Sequence, residues 1–334
     1  MKILFSCDHE EEYKEIFLKE LEKITAEKND NKIYYISDYI PRRSERTTIF
    51  RIIKHLYTFF PENKYLIKLY NDSLKKFYTK KLNSFNEEFD FFFTLAKEYS
   101  DEFMVTLKNK YPNIKTILYL WDSLELSPYQ KNFHKNFDYI FTFDRVDAEK
   151  YNFVFRPTFY IDEFRKNLVD FKKREIDLYY IGVDREKRRI EIIEEFYKVF
   201  KERNMNLFLK LYNRTKSLEI KEEIQLKEKI LYSENMKKVK NSKVILDIAY
   251  KGQKGLTLRC FEAIATETKI ITNNPEIKKY DFYSLNNVFC FKNIEEIKNI
   301  PQNFFLTPYI QVDENIIEKY SIKSFLNEIF KKIN

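Results

Sequence analysis

The densest group of residues that could carry chemistry lies in the segment YKGQKGLTLRCFEAIATETKIITNN, residues 250–274. Two of the chain's three glycines, Gly252 and Gly255, stand here between an apolar run that predicts a buried strand and an amphipathic run that predicts a helix. A glycine turn at a helix N-terminus presents free N–H groups and the positive end of the helix dipole to a phosphate. The segment therefore predicts an anion-binding turn, to which Thr257 adds a hydroxyl.

Arg259 and Glu262 lie three residues apart on the same predicted helix, so their side chains share one face. On one interpretation Arg259 binds a diphosphate and Glu262 accepts hydrogen bonds from the two hydroxyls of a ribose. The other interpretation is an ordinary ion pair on the protein surface. Residue spacing alone leaves both open.

The third glycine, Gly182, ends the apolar run DLYYIG and precedes VDREKRRIEII, which predicts a helix. Basic side chains in the first turn of a helix oppose the helix dipole, and a bound phosphate would remove that conflict. We therefore predict phosphate contacts from Arg185 and Arg188. The alternative is a basic turn that faces only solvent. The basic residues of this junction are Arg185, Lys187, Arg188 and Arg189.

Short apolar runs alternate with longer charged amphipathic stretches along the whole chain. Such runs are typical of strands buried on both faces, and strand–helix–strand repetition predicts parallel sheets with right-handed crossovers. The predicted strands are 2–6, 32–37, 89–95, 115–121, 137–143, 154–159, 177–183, 206–212, 230–233, 243–250, 269–273 and 287–291. The predicted helices are 9–26, 47–59, 63–83, 97–110, 125–135, 185–203, 234–241, 256–267 and 313–332.

The strand pattern restarts after residue 160, and the charged, weakly patterned stretch 161–175 marks the junction. The fold class is therefore α/β, with two Rossmann-like, doubly wound domains at 1–160 and 161–334. Because ligands of such sheets bind beyond the carboxyl ends of the strands, we expect the two domains to face each other across a cleft.

Composition excludes several classes of protein. The chain has 334 residues and a formal net charge of +8, and its acidic and basic residues are intermixed, which argues against a dedicated nucleic-acid binder. Three widely spaced cysteines and three histidines argue against a disulfide framework or a zinc site. No stretch approaches 18 uncharged apolar residues and the N-terminus lacks a secretory pattern, so we expect a cytoplasmic protein.

The glycine turn after the first strand of the second domain and the segment GLTLRCFEAIATETKIITNN resemble those of GT-B-fold glycosyltransferases. They are most similar to bacterial enzymes that build lipopolysaccharide, capsule or related surface glycans. The segments YLWDSLE and FDYIFTFDRVDAEKYNFVFRPTFY in the first half are similar to such proteins as well. The resemblance implies a first domain that binds the acceptor, a second domain that binds the nucleotide-sugar donor, and a last helix, 313–332, that crosses back onto the first domain.

By this resemblance Glu262 holds the nucleotide ribose, and Gly255, Leu256 and Thr257 form the turn that meets the diphosphate. Many retaining members carry another glutamate eight positions before the ribose glutamate, where this chain has Lys254. We therefore favour an inverting reaction. Since no convincing DxD-like pair ends a predicted strand, we expect no essential metal and no cofactor besides the donor. Arginines, lysines and helix N-termini would then meet the charge of the leaving group.

An inverting reaction needs a general base that takes the proton of the acceptor hydroxyl. Asp8 directly follows the first predicted strand and Asp122 follows YLW in a later one, so both are expected at the ligand-facing edge of a sheet. His9 is the third candidate. Asp144 and Asp147 follow another strand, and any of these carboxylates could instead cap a helix or a turn.

Residues 51–82 carry eight basic residues against two acidic ones, interleaved with seven aromatic residues. Lysine and arginine mixed with aromatic residues on a helix suit an anionic membrane surface and a lipid-linked acceptor. The alternative is an ordinary helix pair whose aromatic residues face the core.

Together these features predict a glycosyltransferase that moves a sugar from a nucleotide-activated donor to a glycan or glycolipid acceptor. We expect it in the cytoplasm and peripherally at the inner face of the cell membrane, with no nucleic-acid partner. Two alternatives keep the fold: a nucleotide-sugar epimerase or hydrolase, which needs no acceptor, and a non-catalytic nucleotide-binding protein.

Overall fold

The computed structural model describes residues 1–7, 11–26, 32–36, 48–60, 62–95, 101–125, 134–183, 186–212 and 218–333. The chain divides into two compact units, Met1–Phe155 and Arg156–Asn334.

The first unit is built on a parallel sheet with the strand order β2-β1-β3-β4-β5-β6, so the order reverses between β1 and β3. Its strands are β1 (Lys2–Cys7), β2 (Lys32–Tyr35), β3 (Phe91–Leu95), β4 (Lys115–Leu120), β5 (Tyr139–Thr142) and β6 (Val154–Phe155). The described α-helices of this unit are α1 (Glu11–Ala26), α2 (Thr48–Phe59), α3 (Lys64–Asn83), α4 (Asp101–Lys110) and α5 (Arg145–Tyr151).

Burial and capping explain where these elements form. All five side chains of β3 are buried, as expected for a central strand covered on both faces. The helix α3 begins after Asn63, whose side chain accepts hydrogen bonds from the N–H groups of Tyr65 and Leu66. The helix α5 begins after Asp144 in the same way and ends at Asn152, which adopts the left-handed conformation.

The second unit is built on a parallel sheet with the strand order β12-β11-β10-β7-β8-β9. Its strands are β7 (Ile176–Val183), β8 (Leu207–Tyr212), β9 (Gln225–Leu226), β10 (Ser242–Asp247), β11 (Lys269–Thr272) and β12 (Val288–Cys290). Its described α-helices are α6 (Lys187–Glu202), α7 (Tyr232–Lys240), α8 (Leu258–Ala265), α9 (Asn303–Leu306), α10 (Glu314–Glu318) and α11 (Ile322–Lys331).

The helix α6 packs on this sheet through the apolar face that its periodicity predicts. Ile193, Phe196 and Phe200 are buried in one core cluster with Leu209 of β8 and Leu246 of β10. The rings of Phe196 and Phe200 stack with centroids 5.7 Å apart. This packing holds α6 against the sheet. Because α6 follows β7 in the chain, its first turn lies beside the carboxyl edge of the sheet.

The last helix packs on residues 156–161, which belong to the second unit. The ring centroids of Phe159 and Phe325 lie 4.5 Å apart, and the Arg156 guanidinium pairs with Glu328 at 2.8 Å. The units divide shortly before the predicted junction, so residues 156–160, which the sequence assigns to the first domain, form part of the second unit with α11.

The predicted architecture of two parallel α/β sheets is confirmed, and most predicted elements form close to their predicted bounds. The strand predicted at 230–233 is wrong, because Tyr232 and Ser233 begin α7. The helix predicted at 313–332 is two helices, since Ser321 bridges to Tyr160 before it caps α11. The sequence pattern does not predict α5 or α9. The helix predicted at 125–135 falls mostly on residues 126–133, outside the described residues.

Candidate functional site

A pocket of about 350 Å³ opens at the carboxyl edge of the second sheet, where β7 and β10 lie side by side. The strand order reverses between these two strands, and ligands of doubly wound sheets bind at such a switch point. Four residues singled out in the sequence line the pocket: Gly182, Thr257, Arg259 and Glu262.

Glu262 is buried, with 5% of its surface exposed, and it projects from α8 into this pocket. Its Oε1 accepts a hydrogen bond of 2.5 Å from the Tyr232 hydroxyl at the start of α7. Burial raises the pKa of Glu262, although the bond from Tyr232 and the nearby charge of Arg259 oppose the rise. A carboxyl group oriented in this way offers its remaining acceptor positions to a ligand.

Arg259 lies on the same helix and is fixed by the main chain and by an acid. Its guanidinium donates to the carbonyl of Ile181 at 2.6 Å and lies 3.5 Å from a carboxylate oxygen of Asp247. Glu262 is almost fully buried and Arg259 is 21% exposed. The two residues therefore line the pocket, and the alternative of a surface ion pair between them is wrong.

Asp247 ends β10, is fully buried, and organises the start of α8. It accepts hydrogen bonds from the hydroxyls of Thr257 at 2.7 Å and Thr272 at 2.8 Å. Thr257 is the N-cap residue of α8, yet its side chain makes no capping hydrogen bond. Because its hydroxyl is turned toward Asp247, the first N–H groups of the helix keep their capacity to bind an anion.

Arg189 contributes a second guanidinium from the first turn of α6 and is only 6% exposed. Its Nη2 donates to the carbonyl of Ile248 at 3.0 Å, and its guanidinium lies 3.8 Å from the centre of the Tyr250 ring. Its Nε–H is buried without a hydrogen-bond partner among the described residues. The described contacts of Arg189 include no carboxylate, so its positive charge is available to an anionic ligand in the pocket.

The three glycines serve different purposes. A Cβ at Gly182 would come within 2.4 Å of the Tyr180 hydroxyl oxygen, so the buried Tyr180 ring explains this glycine. Gly252 has a φ of 91°, which only glycine adopts without strain. The carbonyl of Gly255 accepts hydrogen bonds from the side chains of Gln253 and Asn274, which hold the turn before α8.

Three of the remaining donor-site predictions, Arg188, Gly255 and Leu256, are not among the residues that line the pocket. Arg188 is exposed on α6, while its neighbour Arg189 is buried. Gly255 and Leu256 are buried in the turn directly before α8. Arg185 lies outside the described residues.

The base candidates belong to the first unit. Asp8 and His9 lie outside the described residues. Asp122 is exposed two residues beyond the carboxyl end of β4, as its position in the sequence predicts. Asp144 instead caps α5 and accepts a hydrogen bond from the Ser123 hydroxyl, and Asp147 accepts one from the Leu124 N–H at 2.7 Å.

Asp147 is buried, and burial raises the pKa of its carboxyl. Its hydrogen bond to the main chain and the capping role of Asp144 show that both carboxylates hold the turns that follow β4 and β5. The interpretation of these two residues as caps is therefore the right one.

Asp247 and Tyr232 were not predicted from the sequence. Arg188 was predicted as a contact where its neighbour Arg189 lines the pocket. An aspartate inside the apolar run VILDIAY is a signal that could have identified Asp247, because a carboxylate at the end of a buried strand needs partners. Nothing in the sequence near Tyr232 indicates that its hydroxyl reaches Glu262, thirty residues later.

The residues that the structure describes also bear on metal binding and on membrane crossing. Within these ranges no group of three or more His, Cys, Asp or Glu side chains could hold a metal ion. None of the described helices combines the length and the apolar character that crossing a bilayer requires.

No protein-family model matches the chain, and a search of curated proteins finds no match. Solved structures match it over its whole length. An alpha-glucosyltransferase in complex with UDP and a 13-mer DNA containing a central A:G mismatch is 13% identical with a TM-score of 0.58, covering 100% of this chain and 99% of that one.

Staphylococcus aureus MnaA with UDP is 11% identical with a TM-score of 0.55, covering 100% of this chain and 97% of that one. A UDP-N-acetylglucosamine 2-epimerase is 10% identical with a TM-score of 0.52, covering 99% of this chain and 97% of that one. These similarities establish the fold, and the expected GT-B fold is confirmed.

Proposed function

We propose that the chain binds a nucleotide-activated sugar in the pocket between β7 and β10 and transfers the sugar to a surface-glycan acceptor, in lipopolysaccharide, capsule or a glycolipid. The observation that carries the donor site is that one pocket holds both a buried, oriented carboxyl group, Glu262, and a guanidinium, Arg189, whose described contacts include no carboxylate. A nucleoside diphosphate supplies the hydroxyls for the first group and the oxygens for the second.

Within this proposal Glu262 accepts hydrogen bonds from the ribose hydroxyls, and Tyr232 keeps its carboxyl group in place. Arg189, Arg259 and the first N–H groups of α8 bind the diphosphate. The same groups stabilise the charge that develops on the leaving nucleotide, because they are already fixed before the reaction begins. Arg185 lies outside the described residues and stays a predicted contact, whereas Arg188 is exposed and is not among the residues that line the pocket.

Two of the similar structures were solved with UDP, which supports a nucleoside diphosphate as the donor's leaving group. In the proposed inverting reaction the acceptor oxygen forms a bond to the anomeric carbon of the sugar. The bond from that carbon to the phosphate oxygen breaks, and the acceptor proton passes to a base. We retain Asp8 and Asp122 as candidates for that base, with His9 third, and we propose that the reaction needs no metal.

A second candidate function is epimerisation or hydrolysis of the donor without an acceptor. The observation that favours it is the UDP-N-acetylglucosamine 2-epimerase, whose fold is almost as similar to the chain as that of the alpha-glucosyltransferase. Both functions use the same donor pocket, so the acceptor separates them. We place the protein in the cytoplasm, where cysteine thiols stay reduced.

The first experiment is a thermal-shift series with UDP, GDP, CMP, ADP and dTDP. Stabilisation by at least one nucleotide is expected, and an unchanged melting temperature with all five at millimolar concentration would refute the donor pocket. The matching nucleotide sugar is then incubated with and without glycan acceptors, and products are followed by mass spectrometry and NMR. Turnover that needs an acceptor supports transfer, whereas a new sugar epimer or free sugar from donor alone favours the second candidate.

The base is tested by Asp122→Asn and Asp8→Asn, each compared with the exposed neighbour change Glu125→Gln. Loss of the base should slow transfer by about 10²–10⁴-fold while donor affinity stays unchanged. If both aspartate variants turn over as fast as the Glu125 control, neither residue is the base.

A further inference from the structure

The helix α2 exposes a row of large apolar side chains. Ile49 is 70% exposed, Ile52 55%, Leu56 40% and Phe59 65%. These four residues, called the α2 face below, recur every three or four positions and therefore lie along one side of the helix. Phe60, directly after α2, and Tyr65, in the first turn of α3, are exposed as well.

This clustering is unusual for a chain that hides its other apolar residues well. Half of the twelve large apolar side chains that the described residues expose lie within residues 49–65. The helix also has a separate buried side, because Phe50 is 5% exposed and its ring packs 5.7 Å from that of Tyr70 on α3. The α2 face is therefore not needed to attach α2 to the unit, and grouped exposure of this kind marks an interaction surface.

The charges around the α2 face indicate its partner. Residues 48–82 hold eight basic residues against two acidic ones, in a chain whose whole net charge is +8. The lysines of α3 lie on its exposed side, and Arg51 is exposed on α2 itself. The exposed lysines of α3 are Lys64, Lys68, Lys75, Lys76 and Lys80.

We propose that the α2 face inserts into the interfacial region of an anionic lipid bilayer, with the lysines of α3 contacting lipid headgroups. An exposed apolar strip on a helix that packs against a helix rich in exposed lysines matches an anionic bilayer, which is apolar below a negative surface. A second copy of the chain matches less well. A two-fold contact pairs a surface with itself, and it would bring two sets of like charges together.

The structure also revises which residues of 51–82 meet the membrane. Tyr78 is buried, and Tyr70 and Phe77 are partly buried, so the interpretation of these aromatic residues as core is correct. The exposed apolar surface comes instead from the aliphatic residues of α2 and from Phe59, Phe60 and Tyr65.

The test is flotation of the full chain with vesicles of phosphatidylcholine alone or mixed with phosphatidylglycerol. Binding to the anionic vesicles only is expected. The variant Ile52→Asn with Phe59→Asn should weaken it at least tenfold, because each side chain would leave the lipid. The matched control is Leu285→Asn with Leu306→Asn, which removes two side chains that are 79% and 65% exposed in the second unit. This control should bind as the unchanged chain does.

The lysines are tested by changing Lys64, Lys68 and Lys75 to glutamine, and each change should lower partitioning about fivefold. Equal binding to both vesicle types, or no effect of the Ile52 and Phe59 changes on binding, would overturn the proposal. So would a lipid-free dimer that those two changes dissociate, as seen by light scattering. The assay contains no nucleotide or sugar, so its failure is distinguishable from failure of the proposed enzymatic function.

Discussion

Replacing Glu262 by glutamine tests the ribose assignment most directly. The change preserves the volume of the buried side chain and its acceptor for the Tyr232 hydroxyl, while it removes the negative charge. Glu262→Ala would also open a cavity among the buried residues of α8, so a loss of affinity could then reflect repacking. Glutamine confines the perturbation to charge and to acceptor capacity.

The expected size follows from the hydrogen bonds that the carboxylate would accept. A hydrogen bond to a charged group contributes about 1.5–3 kcal/mol, and one between neutral groups about 0.5–1.5 kcal/mol. For a pair of ribose hydroxyls the loss of charge should therefore cost about 1–3 kcal/mol, which weakens nucleotide binding roughly 5- to 150-fold. Because burial raises the pKa of Glu262, its carboxyl group should take up a proton at a higher pH than an exposed glutamate does.

This pKa shift fixes the sign of the pH dependence. The ionised form of Glu262 is the better acceptor, so affinity should be highest above its raised pKa and should fall as the pH drops through it. Glu262→Gln has no proton to gain at this position, so its affinity should lack the pH dependence that the carboxyl group adds, while titration of the nucleotide phosphate affects both proteins alike. Calorimetric titrations with the best-stabilising nucleotide between pH 5 and pH 8 measure both curves.

A ribose-specific measurement guards against indirect effects. The unchanged chain should bind the ribonucleotide more tightly than its 2′-deoxy form, and Glu262→Gln should lose most of that preference. The control is Glu234→Gln, an exposed glutamate on α7 near Tyr232. If Glu262→Gln keeps the affinity and the ribose preference of the Glu234 control, the ribose assignment is wrong.

Two further predictions concern the cations of the second unit. Arg189→Met should weaken the binding of a nucleoside diphosphate about tenfold or more and leave the binding of the uncharged nucleoside unchanged. The control Arg188→Met changes an exposed neighbour and should alter the binding of neither ligand, as calorimetry would show. Equal effects of both changes would remove Arg189 from the phosphate site. Lys269 is 1% exposed, and burial lowers its pKa to about 8. Between about pH 8 and pH 10.5 the unfolded chain therefore holds one more proton at this residue than the folded chain does. The free energy of unfolding should rise with pH over that range, by up to about 3 kcal/mol. Lys269→Met should flatten that rise in urea denaturation, and a slope equal to that of the exposed Lys278→Met control would contradict the prediction.

The fold could largely be predicted because its strands are apolar runs buried on both faces. The run FDFFFTL contains β3, all of whose side chains are buried, and DLYYIGV contains most of β7. The same rule failed at ILYS, residues 230–233, where a short apolar run precedes and enters the amphipathic helix α7. The strand that forms nearby, β9, has only two residues, and one of them is polar. It therefore carries no pattern that periodicity could detect.

The grouping of residues in the candidate site could be predicted where those residues are neighbours in the sequence. Thr257, Arg259 and Glu262 follow a glycine turn, and one helix brings all three to the pocket. The partners that orient them come from elsewhere, Asp247 from the preceding strand and Tyr232 from α7. Such partners depend on how the sheet and helices pack, which residue types and local spacing do not determine.

Whether Arg188 or Arg189 lines the pocket also depends on how the helix packs. The answer determines which cation would bind the negative charge of the donor. Arg259 is already paired with Asp247, so part of its positive charge is compensated within the protein. The contacts described for Arg189 are a carbonyl and the face of Tyr250, and neither is an anion. A diphosphate entering the pocket would therefore gain more from Arg189 than from Arg259, because only the former brings a charge that the described residues leave uncompensated. On this argument Arg259 orients the ligand and Arg189 supplies most of the electrostatic attraction.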